Sequence, residues 1–162
     1  MRAVLLDKFG PPEALRTAEV PEPEPRPGEA IVDVAAAGIQ FLETQVRSGR
    51  MGRILGDVPF PVVLGKEIAG RVRTVGSAAH QEHVGRRVLA TTAGTGGYAE
   101  RAAVPVESLI KIPDALNVEE ALALYRYGAT AAGWYAPLGS APATGSSSRR
   151  PRVRSAPCWC SY

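Results

Sequence analysis

No stretch of the chain approaches the roughly 18 to 20 apolar residues in a row that cross a bilayer, so no membrane-spanning helix is expected. Cysteine is nearly missing: Cys158 and Cys160 are the only two, and both lie at the carboxyl end. That leaves the body without a disulfide framework or a four-cysteine metal site. One residue between the two cysteines is too few for the usual paired zinc knuckle, and no histidine accompanies them. Acid is missing from residues 134–162, which carry Arg149, Arg150, Arg152 and Arg154, a local charge of +4. Subtracting that from the total of +3 leaves about −1 for the rest, so the pI near 9.1 is a property of the tail. The body carries no basic footprint for nucleic acid and is expected to present a mixed, solvated surface. The opening MRAVLLDKFGPPEAL meets Asp7 too early to supply a secretion signal's apolar core, which predicts a cytoplasmic protein.

With 45% hydrophobic and 22% charged residues in 162, the composition is that of one globular domain with a real core. Aromatics are only 6%, whereas Gly (17) and Pro (14) are abundant, which predicts many turns and short strands. RAVLLD at 2–7 reads as a strand, RTAEVPEP brings a second apolar run, and PEPEPRPGE is an extended connector unable to donate to a ladder at its prolines. In EAIVDVAAAGI, Val32 and Val34 alternate with Ile31 and Asp33, as in a sheet with one wet side. FLETQVRSGRM predicts a short helix ending near Gly49, and PFPVVLGKEIAGRVRTVGS predicts two strand runs split at Gly65. EHVGRRVLATT and GGYAERAAVPVESLIKIP add two or three strands, and ALNVEEALAL reads as a helix capped by Asn117, with Glu119 and Glu120 near its positive end. The pattern is mainly β with some α, a small barrel or sandwich. After Gly133 no period survives, and the Ser, Pro and Arg content predicts a disordered or irregular tail at 134–162.

Taken in order, MRAVLLDKFGPPEAL, VDVAAAGI, RSGRM, PFPVVLGKEIAGRV, VGRRVLA and GGYAERAAVP resemble the medium-chain dehydrogenase/reductase superfamily, in its quinone reductase or zeta-crystallin-like group. The resemblance covers about residues 1–133. It implies a GroES-like, partly open β-barrel at 1–124, the start of a linker helix at 125–133, and a following Rossmann domain that binds NADPH. It further implies hydride transfer to a quinone or activated enone, with homodimers only where the Rossmann domain is present. The zinc-dependent branch of the family carries Cys and His where this chain has Gln40 and Lys66. Neither suits zinc, and a lysine ammonium opposes a cation, so no catalytic metal is expected.

In the zinc-free relatives a polar amide, usually Asn, lies near the nicotinamide; by that match Gln40 is the cofactor-facing residue, with one methylene more. Phe41 follows it and is expected to shape the substrate side, and Thr130 in YGATAAG matches a position near the nicotinamide carboxamide or ribose. Each has an ordinary alternative: a loop amide, a core aromatic and a helix cap, respectively. Glu67 is expected to serve structure near the barrel floor, Tyr98 to pack in the core, and His80 and His83 to lie on a solvated surface. No general acid stands out.

The dinucleotide turn is not found. GTGG at 94–97 is followed by a strand pattern rather than a helix, which fails the fingerprint. The tail reads like a GC-rich gene out of frame: one C restored after the Gly133 codon, with permitted codon choices, turns residues 134–162 into LVRAARLRPGDRILVTAAAGAVGALLVQL. That sequence runs turn, strand, Gly-rich bend and helix, the missing cofactor motif. The chain as written is therefore expected to be an inactive amino-terminal fragment. A non-catalytic interaction module or degraded gene product, and an alcohol-dehydrogenase-like oxidoreductase, are the competing readings.

Overall fold

The computed structural model describes residues 1–51, 59–128 and 131. Thr130, Gly133 and the whole segment 134–162, for which disorder was expected, lie outside these described residues.

Among the described residues, eight strands form two antiparallel sheets. β1 (Arg2–Leu6), β2 (Leu15–Glu19) and β4 (Val62–Val63) form one, in the order β2-β1-β4. The other runs β7-β3-β5-β6-β8, from β3 (Glu29–Ala37), β5 (Glu67–Val75), β6 (Arg87–Thr91), β7 (Arg101–Pro105) and β8 (Ile110–Lys111). The architecture is mainly β, a partial GroES-like barrel. Among the described residues, two short helices, α1 (Phe41–Arg47) and α2 (Val118–Ala123), flank it, and α2 runs on into a wider turn of π type at Leu124–Gly128. No helix among the described residues is long and apolar enough to cross a membrane.

The core of the larger sheet is aliphatic: Val32, Ile68, Val72, Val88 and Val104 are each at most 1% exposed. Their β-branched side chains suit a pleated surface packed on one face, which is why these runs form strands. β3 departs from the expected wet-sided strand, since Ile31 is 2% exposed and its neighbours Ala30 and Val32 are fully buried. β3 lies inside the sheet between β7 and β5, and both of its faces are covered there. Asp33, on the same face as Ile31, reaches the rim and pairs with Arg101 at 3.2 Å and Arg73 at 3.6 Å.

The Pro-rich connector at 21–28 crosses the end of this sheet. A Cβ on Gly76 would come within 1.9 Å of the Arg26 carbonyl oxygen, so only glycine lets connector and strand meet. Gly65 does the same between β4 and β5: its φ is +96°, and a Cβ would sit 2.7 Å from the Tyr98 nitrogen.

Candidate functional site

Three chain segments meet at one cleft of about 290 Å³: the end of β3 running into α1, the first residue of β5, and α2 (Glu119, Leu122 and Ala123) with the turn after it. Gly38 nitrogen donates to the Glu67 carbonyl at 2.9 Å, which locks the β3 end to the β5 start. Gln40 then turns extended (φ −100°, ψ 153°) and becomes the cap residue of α1. Glu67 and Gln40 both line the cleft and are 4% and 8% exposed.

Arg126, carried in by the turn after α2, bridges the two. Its Nη1 lies 3.3 Å from Glu67 Oε1, and its Nη2 donates to Gln40 Oε1 at 3.0 Å. A guanidinium only donates, so this bond fixes which way the Gln40 amide faces: oxygen toward Arg126, nitrogen away. The Nε2 so placed is buried and has no hydrogen-bond partner among the described residues. A buried donor left unsatisfied costs about 1–3 kcal/mol, and a ligand oxygen in the cleft would recover that.

Beneath Gln40 lies a residue the sequence reading passed over. The Glu43 carboxylate, 9% exposed, accepts three hydrogen bonds from three parts of the chain. Gln40 nitrogen donates at 2.9 Å, Lys66 nitrogen at 2.8 Å, and the Tyr98 hydroxyl donates in close contact. Glu43 thus ties α1 to the β4–β5 loop and to the segment before β7. The spacing Gln40-x-x-Glu43 carries a trace of this, since an acid three residues past a helix cap reaches back to the cap nitrogen. Tyr98 packs with the Leu6, Val62 and Leu64 cluster as expected, and its hydroxyl also serves Glu43. Burial first, and the bond to Glu43 second, push the phenol well above its ordinary value of 10, so it stays a neutral donor at physiological pH.

The other candidates are placed as follows. Phe41, the first residue of α1, is 78% exposed and does not line this cleft. Ile39 (72%), Leu124 (54%) and Tyr127 (66%) are exposed as well, and of these Ile39 and Tyr127 line the cleft. Thr130 falls outside the described residues. Lys66 is exposed and engages Glu43 through its backbone nitrogen. GTGG at 94–97 is a turn, with Gly94 at φ +130° and Gly96 at +100°, leading to β7 and not to a helix. A larger cleft of about 520 Å³ lies along Val4, Thr17, Val34 and Tyr98. It shares Ala36, Ala37 and Ile39 with the Gln40 cleft, but no buried unpaired donor among the described residues points to a ligand there.

Residues 26–114 match the family model for the alcohol dehydrogenase GroES-like domain. Over 125 residues the chain is 33% identical to quinone oxidoreductase of Pongo abelii, covering 76% of this chain and 37% of that protein. It is 37% identical over the same length to the synaptic vesicle membrane protein VAT-1 homolog-like of Mus musculus, covering 76% of this chain and 28% of that protein. The crystal structure of Escherichia coli quinone oxidoreductase complexed with NADPH superposes with a TM-score of 0.73 at 29% identity, covering 83% of this chain and 40% of that one. The chain thus spans well under half the length of the relatives it matches. On the domain match and the run of quinone oxidoreductase relatives, the chain belongs to the alcohol dehydrogenase GroES-like domain family, in the quinone reductase group of the medium-chain dehydrogenases/reductases.

Proposed function

We propose that this chain is the nicotinamide-facing half of an NADPH-dependent quinone or enone oxidoreductase, and that by itself it is inactive. The observation that carries the reading is the buried, unpaired Gln40 Nε2, held facing away from Arg126 at the edge of an apolar-rimmed cleft. A nicotinamide carboxamide offers the acceptor oxygen that this donor needs. Bound NADPH would supply the hydride. The chain's residues would orient the ring through Gln40, with Thr130 as the second contact by family resemblance. The exposed ring of Phe41 and its neighbour Ile39 would exclude water from the substrate side once a second domain covers them.

No zinc takes part in this reading. At the two positions that carry Cys and His in the zinc branch stand Gln40, whose oxygen is taken by Arg126, and Lys66, whose side chain is exposed. The division after residue 124 is part of this proposal, supported by the change from α2 to a π-type turn at Leu124–Gly128. No segment among the described residues offers a Gly-rich turn leading into a helix, the element that cradles a pyrophosphate.

A second reading, a non-catalytic interaction module, draws on the exposed apolar side chains of Ile39, Phe41, Leu124 and Tyr127. Left uncovered, such side chains favour association with other proteins or copies.

The experiment is to restore one C after the Gly133 codon, express the longer product and follow NADPH oxidation with a quinone. Turnover is expected, and Gln40→Leu should lower kcat/KM by about tenfold, the worth of one lost hydrogen bond of about 1.4 kcal/mol. Unchanged kcat/KM in Gln40→Leu would remove Gln40 from the site.

A further inference from the structure

Away from the Gln40 cleft, the turn joining β5 to β6 brings His80, Glu82 and His83 together, with one ligand atom from each lying within 4.8 Å of the others. Residues 78–83 form a 3₁₀ segment kinked at His80. His80 and His83 are three apart, and their rings stand 6.3 Å centroid to centroid. His80 takes a bridge-region conformation (φ −116°, ψ 15°), and the two rings are tilted by 43° rather than stacked. Glu82 lies beside them, its Oε1 already 3.2 Å from His83 Nε2.

The backbone under this cluster is fixed before any ligand arrives. Ser77 caps the segment, its hydroxyl accepting from Ala79 nitrogen at 3.3 Å, and His80 nitrogen donates to the Ser77 carbonyl at 3.1 Å. On the far side Arg86 nitrogen bonds the His83 carbonyl at 3.1 Å, and Gly85 nitrogen bonds the Val72 carbonyl at 2.8 Å, which ties the turn to β5.

We infer that His80, Glu82 and His83 form a binding site for a divalent transition-metal ion of the zinc type, unrelated to hydride transfer. Two imidazoles and one carboxylate are a donor set that suits such ions, and a fourth position would be left for water. Zinc bonds of about 2.0–2.1 Å in tetrahedral geometry set ligand atoms about 3.3 Å apart. The Glu82–His83 pair already has that spacing, at 3.2 Å. No ligand atom of the three lies more than 4.8 Å from another, so His80 closes the site by about 1.5 Å at most, within the reach of a side-chain torsion. Both histidines are partly buried and Glu82 is exposed, so an ion has open access.

The test uses the untagged, metal-stripped 162-residue chain carrying Cys158→Ser and Cys160→Ser, so that the tail thiols do not compete. Titration with Zn²⁺ by calorimetry should show one equivalent bound. His80→Ala with His83→Ala in the same background should weaken binding by at least about tenfold, since loss of an outer-shell partner alone costs that much. An unchanged thermal melt without metal verifies that this variant is folded. Absence of saturable binding in the Cys→Ser chain would overturn the inference, as would binding that persists unaltered without the histidines.

Discussion

Gln40 and Glu43 show how one residue's chemistry depends on where its neighbours aim their donors. Glu43 accepts from Gln40 nitrogen, Lys66 nitrogen and the Tyr98 hydroxyl, and its burial is tolerable because each of these is a real donor. Glu43→Ala strands all three and should cost about 2–4 kcal/mol, read from chemical denaturation. A loss under 0.5 kcal/mol would mean that water serves those donors as well as Glu43 does. Tyr98 gives a pH-dependent counterpart. Its phenol is raised above 10 in the fold, so its stabilisation is complete below pH 10 and is lost as pH climbs from there, where the unfolded chain ionises first. Tyr98→Phe should therefore be less stable than the parent at pH 7, by about 1.5–3 kcal/mol for a bond to a charged partner. The gap should narrow as the pH passes 10, and a gap constant from pH 7 to 11 would contradict the raised phenol.

At the level of elements, glycine and capping residues set the boundaries. Asn117 Oδ1 accepts from Glu120 nitrogen at 2.7 Å while Glu120 Oε2 accepts from Asn117 nitrogen at 3.0 Å, a reciprocal cap on α2. Asn117→Ala should cost about 1 kcal/mol. Gly76→Ala should cost more than that, because its Cβ would strike the Arg26 carbonyl at 1.9 Å and lift the connector off the sheet. Equal melting temperatures for the two variants would show that the connector yields freely. These elements were legible in the sequence because their signals are local: Gly65 between two apolar runs, Gly49 after α1, Asn117 three residues before Glu120. The family resemblance placed the GroES-like fold for the same reason, through an ordered series of short motifs. What could not be read was closure over distance. Arg126 meets Gln40 across 86 residues and Tyr98 meets Glu43 across 55, and no local period records either contact. The burial of Ile31 escaped as well, since strand alternation cannot tell that both faces of an interior strand are covered.

On the scale of the whole molecule, the described residues form a barrel half with one prepared wall. Gln40, Glu67 and Arg126 line a cleft whose apolar mouth faces outward, and Phe41 stands 78% exposed beside it. A frame change at Gly133, the reading proposed above, would account for a tail with four arginines, no acid and no hydrophobic period. Sequencing the source DNA across the Gly133 codon should either recover the additional base, giving a two-domain reductase, or establish that the gene encodes the shorter chain. The most direct test of the central proposal, that this chain holds the nicotinamide wall without a pyrophosphate cradle, is a fluorescence titration of the purified 162-residue protein with NADPH. The expected result is no saturable binding up to about 1 mM, since one hydrogen bond from Gln40 supplies only about 1–1.5 kcal/mol against the roughly 4.1 kcal/mol that a millimolar dissociation constant needs. Saturation at micromolar NADPH would contradict it, and would mean that this chain carries a dinucleotide site of its own.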